Sequence, residues 1–299
     1  MRRVEIFILA AMLTLLIYNS GIIYAQSIEY PAYPGYDKRY DPLIGGIQIE
    51  IATSSNVSAR ICSLAFPVKI IGGTKEVNGF ITAGHCINIA KGENYVHQPI
   101  IGQFWYTFIG MGTRSTYPYG GGNSDADAAL IRLEICERFG CFPTRGIAPY
   151  IFENGTRYRY NEYPDYDNKV VITAYVEPTT FYIGRPVYKS GRTTGLTYGF
   201  IEKIDDRADL GNGIIIQPVL RINRCWRGEC YYGNFLDFGD SGGPVYFRYL
   251  LVQHSRGYEY QAYVIGLVTG APSPNYYWAT WATKVCNRWS DVRCITVSG

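Results

Sequence analysis

Histidine is scarce in this chain: 299 residues carry three, His85, His97 and His254. A reaction that needs an imidazole base must draw on one of them. Runs of Lys and Arg are missing too. The net charge of +3 is spread along the chain, which excludes a basic nucleic-acid-binding stripe and predicts no nucleic-acid partner. No helix-period pattern of useful length precedes the C-terminus, and no internal repeat is visible, so helical bundles and solenoids are excluded. One apolar run of anchor type is present, at the N-terminus, and none follows it.

That run, Ile6 to Tyr18, follows the basic start Met1-Arg2-Arg3 and precedes Tyr24-Ala25-Gln26, where a small residue suits signal-peptidase cleavage. Residues 1–25 therefore read as a secretory signal peptide, and an uncleaved anchor is the competing reading. The expected location is extracellular, with no membrane contact after cleavage. Eight cysteines fit an oxidising compartment. Their spacing favours neighbouring pairs: Cys62–Cys86, Cys136–Cys141, Cys225–Cys230 and Cys286–Cys294. A zinc site built from the two Cys-x-x-x-x-Cys pairs is disfavoured, because the spacing is loose and oxidation competes. No metal and no cofactor are expected. Asn56-Val57-Ser58 and Asn154-Gly155-Thr156 are glycosylation sequons short enough to occur by chance.

Hydrophobic residues make up 47% of the chain and charged residues 18%, the balance of a globular protein with a full core. Residues 26–43, with Pro31, Pro34 and Pro42 among tyrosines, read as a linker or short pro-segment, and Lys38-Arg39 is a dibasic processing candidate. From Gly46 the chain becomes a series of short β-type runs rich in Ile, Val, Tyr and Thr. They include Gln48–Ile51, Phe80–Thr82, Ile100–Ile109, Ala129–Leu133, Val170–Val176, Ile214–Leu220 and Tyr263–Thr269. One short terminal helix is predicted over Trp281–Val292. The class is all-β, a sandwich or closed barrels. The composition break near 141–168 divides a body at 44–145 from one at 169–299, with 146–168 as connection or insertion.

Three short motifs carry chemistry. Gly239-Asp240-Ser241-Gly242-Gly243-Pro244 offers a serine hydroxyl with backbone N–H groups on either side. Thr82-Ala83-Gly84-His85-Cys86 sets a histidine on a small-residue turn after an apolar run. Asp127-Ala128-Ala129-Leu130 sets an acid at the head of another. Together they supply acyl transfer. His85 takes the proton from Ser241, and Asp127 holds the other ring nitrogen. The N–H groups of Gly239 and Ser241 bind the developing oxyanion. Asp125 competes for the role of acid; Asp127 is favoured because an apolar strand follows it directly.

These motifs together resemble the chymotrypsin-like (trypsin-fold) serine peptidases. Leu43-Ile44-Gly45-Gly46-Ile47 and Val187-Tyr188-Lys189-Ser190-Gly191-Arg192-Thr193-Thr194-Gly195 look like the bacterial branch of α-lytic protease and the streptogrisins. The resemblance runs from about Ile44 to Thr269. It implies two perpendicular six-stranded antiparallel Greek-key β-barrels with a short C-terminal helix, and protein or peptide substrates. His85 and Asp127 would come from the first barrel, Ser241 from the second. It matches Cys62–Cys86 to a disulfide flanking the histidine, puts Thr269 near the acid, and lets the strand through Gly270 pair with substrate.

Departures from the pattern raise further expectations. Lys189 stands where the branch carries a base, usually Arg, that pairs with the acid before the nucleophile, here Asp240; both are expected to support the oxyanion loop. The rival is a freed N-terminus at Ile44. Residues 26–43 are too few for the branch's large propeptide. Phe235 near the pocket base disfavours cleavage after Lys or Arg and suggests apolar side chains, although Asp237, turned inward, would attract a basic one. The expectation is a secreted serine endopeptidase working as a monomer. The alternative is a non-catalytic homologue that binds a partner.

Overall fold

Short runs of Ile, Val and Tyr cannot bury a face alone, so they pair. The structure, a computed structural model, describes residues 32–298 apart from 54–57, 73–74, 102–106, 139, 155–166 and 256. It opens with β1 (Leu43–Gly45), β2 (Gln48–Ala52), β3 (Ser58–Ser63), β4 (Pro67–Gly72) and β5 (Lys75–Thr82). Then come β6 (Tyr95–His97), β7 (Phe108–Ser115), β8 (Gly122–Ser124) and β9 (Ala129–Arg132). The hairpin β10 (Glu134–Glu137) and β11 (Gly140–Pro143) precedes β12 (Ile147–Phe152) and β13 (Lys169–Tyr175). The remainder holds β14 (Pro186–Gly191), β15 (Gly195–Asp209), β16 (Ile214–Asn223), β17 (Cys225–Trp226) and β18 (Glu229–Cys230). It ends with β19 (Pro244–His254), β20 (Gly257–Ser273), β21 (Tyr276–Trp281), helix α1 (Ala282–Cys286) and β22 (Val292–Cys294).

Pairing collects most of these strands into a ten-stranded and an eight-stranded sheet. In the larger sheet β20, β19, β14, β15, β16 and β21 follow one another, and β21 pairs again with β20. Those six strands close a ring and leave no free edge between them. The smaller sheet runs β22, β4, β5, β9, β7, β6, β2, β3. Its gap is bridged by Leu64–Phe66, the link from β3 into β4. Leu64 N–H donates to Ile47 at 3.0 Å, Ala65 N–H to Ile81 at 2.7 Å, and Ile81 N–H to Phe66 at 3.0 Å. One bent run, β3 into β4, thus closes the first ring. The expected all-β fold of two barrel-like sheets with a short terminal helix is present.

Several boundaries differ from the sequence reading. Strand β7 begins at Phe108, not at Ile100, and residues 102–106 lie outside the described ones. The helix spans Ala282–Cys286 alone. The disulfide Cys286–Cys294 draws the chain back, and β22 pairs with β4 where the helix was expected to end. Residues 32–43 are not a free linker: Tyr36 is fully buried and Ala32–Gly299 forms one compact unit. Within 146–168, β12 pairs with β13 and with β1, so its start belongs to the larger sheet. The division at residue 145 is crossed from both ends, by β1 on the larger sheet and β22 on the smaller. The expected signal peptide and the sequon residue Asn56 lie outside the described residues. Among the described residues no helix is long and apolar enough to cross a membrane.

His97 lies in β6 and is fully buried against the Phe108 ring. Burial pulls its imidazole below the usual histidine pKa, and Glu50 opposes this in part. With a lowered native pKa, the unfolded chain takes up the extra proton. The contribution of His97 to stability is therefore complete above about pH 6.5 and is lost as pH falls below it. Melting temperatures of the parent protein are expected to fall more steeply below that pH than those of His97→Gln. Parallel curves would contradict this.

Candidate active site

Strand β5 ends at Thr82, which pairs with Ala129 at the start of β9. The 3-10 turn Gly84–Cys86 follows the first, and Asp127 precedes the second. The antiparallel register therefore brings His85 and Asp127 to one end of one sheet. His85 Nδ1 lies 2.7 Å from Asp127 Oδ2, and the His85 backbone N–H donates to Oδ1 at 2.8 Å. Asp127 is fully buried. Gly84 makes the approach possible, because a Cβ there would sit 2.9 Å from Asp127 Oδ1 and from Ala128 N. Asp125, the rival acid, instead faces Arg288 at the surface, 3.3 Å away.

Other groups fix this pair, and the sequence reading missed them. Asp127 N–H donates to Thr280 Oγ1 at 3.0 Å, and Thr280 Oγ1 lies 2.8 Å from Thr269 Oγ1. Thr269, expected beside the acid, thus reaches it one step removed, through Thr280 of β21. The His85 carbonyl accepts from the Tyr119 hydroxyl at 2.6 Å and from the Arg60 guanidinium. The Tyr117 ring meets the imidazole edge-on at 5.8 Å. Burial pushes the hydroxyl pKa of both tyrosines up. No local motif signals these partners.

The serine turn packs directly on the strand end that leads into His85. Gly242 has φ +84°, and a Cβ there would come 2.5 Å from Ser63 O and 2.8 Å from Ala83 N. Ser63 N–H donates to Ser241 O at 2.8 Å, and Gly242 N–H donates to Val268 O at 2.9 Å. The turn is therefore held between the end of β3 and β20. Among the described residues, the N–H groups of Gly239 and Ser241 donate to no protein group. The Gly239 carbonyl faces the other way and accepts from Ser63 Oγ at 2.8 Å.

Asp240 sits under this turn, fully buried with Lys189. Lys189 Nζ lies 3.1 Å from Asp240 Oδ2, and donates also to Thr194 Oγ1 and to Gly195 O, the latter at 3.2 Å. An ammonium has three N–H bonds, and three acceptors meet it. Burial lowers the Lys189 pKa, and the Asp240 carboxylate acts in the opposite sense. Asp240 also accepts from Thr193 N–H at 2.8 Å, Thr194 N–H at 3.1 Å, Thr194 Oγ1 at 2.6 Å and Asp237 N–H at 3.1 Å. These donors occupy the carboxylate and leave no vacancy for a freed Ile44 ammonium. The Lys-Ser-Gly-Arg-Thr-Thr-Gly run was legible in sequence, but not that both threonines bind Asp240.

Phe235 is covered, with its ring against Tyr277 at 5.1 Å and Tyr231 at 6.0 Å. Its carbonyl accepts from Thr197 Oγ1 at 3.0 Å. Asp237 is engaged within its own turn, accepting from Phe238 N–H at 2.8 Å and Asn234 Nδ2 at 3.0 Å. Phe238, next to Gly239, is 78% exposed. Gly270 pairs with Trp278 across β20 and β21. All four expected disulfides are formed, so these sulfurs offer no thiolate to a metal.

No family model matches the chain. Serine protease 2 of Streptomyces fradiae is 28% identical over 190 residues, covering 62% of this chain and 79% of that protein. Thermobifida fusca protease A superposes with a TM-score of 0.53 at 20% identity, over 85% of this chain and 99% of its own. Nocardiopsis protease gives 0.52 at 21% identity, over 85% of this chain and 100% of its own. By fold and by sequence, this chain is a chymotrypsin-fold relative of the bacterial serine proteases.

Proposed function

We propose that the protein is a secreted serine endopeptidase that hydrolyses peptide bonds through an acyl-enzyme. The observation that carries this is the His85–Asp127 pair, at 2.7 Å and with Asp127 fully buried, beside a serine turn packed on the same strand end. His85 Nε2 takes the Ser241 proton as Oγ attacks the scissile carbonyl, then returns it to the leaving amine. Asp127, accepting from Nδ1–H, fixes the tautomer that leaves Nε2 free and stabilises the imidazolium. The N–H groups of Gly239 and Ser241, unclaimed by protein groups among the described residues, receive the oxyanion. Water then enters by the same proton route and frees the acid product. Beyond the last β19 pair, Pro244 with Leu267, the extended backbone of β20 at Thr269 and Gly270 has its side away from β21 to offer to the substrate.

An apolar side chain is the preferred one before the scissile bond. Phe235 brings no charge to the pocket base, and Asp237 is held by its own turn. Four disulfides suit work in an oxidising, extracellular setting.

A fluorophosphonate probe is expected to label the purified chain and to leave Ser241→Ala unlabelled. Equal labelling of both would remove Ser241 from the mechanism. Asp127→Asn is expected to lower kcat by about 10⁴-fold, with the fold retained by circular dichroism. Lys189→Met leaves Asp240 buried without its cation. In denaturant melts it is expected to lose about 3–5 kcal/mol of stability. A loss under about 1 kcal/mol would mean that the pair contributes little beyond an ordinary hydrogen bond.

A further inference from the structure

We infer that residues 32–42 are a permanent part of the working protein and that Tyr36 is a positioning residue for the loop carrying Gly239, Asp240 and Ser241. The part of this that concerns catalysis rests on the peptidase reading above; the part that concerns processing rests on packing alone.

Two places in this stretch invite a mature N-terminus: the dibasic Lys38-Arg39 and the family-like start at Ile44. The packing speaks against cutting at either. Tyr36 is fully buried. Its hydroxyl accepts from Asn154 N–H at 3.1 Å and lies 3.1 Å from Ser190 Oγ. Its ring meets Phe152 edge-on at 4.8 Å. The backbone is tied as well. Tyr36 O accepts from Gln48 N–H at 2.9 Å, and Tyr33 N–H donates to Arg192 O at 2.6 Å. Tyr33 lies over Gly195 so closely that a Cβ there would be 2.8 Å from the ring. Lys38 O accepts from Gln98 Nε2 at 2.5 Å. Even the sequon residue Asn154 is engaged, donating through Nδ2 to Pro34 O at 2.8 Å. The segment is a strap anchored at Tyr33, Tyr36 and the Lys38 carbonyl, with the Asp37, Lys38 and Arg39 side chains exposed.

What it straps is the underside of the serine turn. Ser190 and Arg192 flank Gly191, which presses on Asp240: a Cβ on Gly191 would be 2.6 Å from Oδ1. Arg192 N–H donates to Ser63 Oγ at 3.0 Å, and Ser63 Oγ donates to Gly239 O at 2.8 Å. Lys189, the partner of Asp240, is the neighbour of Ser190. Two short routes therefore run from the strap to the loop, one through Ser190 and Gly191 to Asp240, the other through Arg192 and Ser63 to Gly239. Removing the strap uncovers Ser190 and Arg192 and frees the turn that these residues hold. In many serine peptidases a freed terminus orders this loop after cleavage; here chain upstream of Ile44 orders it while uncut.

The test has three readouts. Intact mass and N-terminal sequencing of the exported, active protein are expected to place its first residue upstream of Ala32. Hydrogen exchange at residues 237–243 is expected to be faster by about tenfold or more in Tyr36→Ala, with a smaller rise in Tyr36→Phe, which keeps the ring and loses the hydroxyl. In Tyr36→Ala kcat is expected to fall about tenfold with KM within about twofold, since an oxyanion contact is made in the transition state alone. Thermal melts verify that each variant is folded at the assay temperature. If Tyr36→Ala does not fold, Tyr36→Phe and the mature N-terminus decide. A mature protein that begins at Tyr40, at Ile44 or elsewhere downstream of Ala32, or unchanged exchange at 237–243 in the folded variants, would overturn the inference. Failure of the full chain to label at Ser241 would defeat the peptidase reading instead, and mass and exchange would still decide the strap.

Discussion

The buried carboxylate of Asp240 is the constraint on which the serine turn depends. A carboxylate without water is costly unless its lone pairs are filled. Here Lys189, Thr193, Thr194 and Asp237 fill them, in a site that a Cβ on Gly191 would close. Satisfying Asp240 in this way fixes its backbone, and the residues on either side of it are Gly239 and Ser241. The demand for hydrogen bonds below the loop thus sets which groups face outward above it. Lysine serves because its three N–H bonds find three acceptors, although it lacks the fork that arginine would bring.

Sheet register does for His85 and Asp127 what Asp240 does for Ser241. Thr82 opposite Ala129 puts both side chains at one sheet end. Contacts between the two sheets then hold that end to the serine turn. Thr280 of the larger sheet accepts from Asp127 N–H, and Ser63 of the smaller donates to Ser241 O and Gly239 O in the turn. The disulfide Cys62–Cys86 ties β3 to the turn of His85. Gly84 and Gly242 sit where these surfaces touch, and each is small because a backbone or carboxylate atom occupies the space a side chain would need.

Legibility in the sequence followed the range of the physics. His85, Asp127 and Ser241 stand in compact motifs, and Lys189 stood out through its own run of neighbours. The β-type runs located most strands because Ile, Val and Tyr between turn residues are a local signal. Thr280, Arg60, Tyr119 and Ser63 gave none: each acts on a group that only the fold brings near. The terminal helix was overestimated because the pull of Cys294 and the pairing of β22 are tertiary effects. Residues 32–43 read as a linker because their prolines break periodicity. Burial of Tyr36 depends on partners more than a hundred positions away, such as Phe152 and Asn154.

In the proposed mechanism Asp240, held from below, presents Ser241 Oγ and the N–H groups of Gly239 and Ser241 to one reacting centre. A crystal structure of the phosphonylated protein tests it most directly. Phosphorus is expected to be bonded to Ser241 Oγ, with the phosphoryl oxygen about 2.7–3.1 Å from both N–H nitrogens. Attachment at another residue, or an oxygen turned away from both amides, would contradict it.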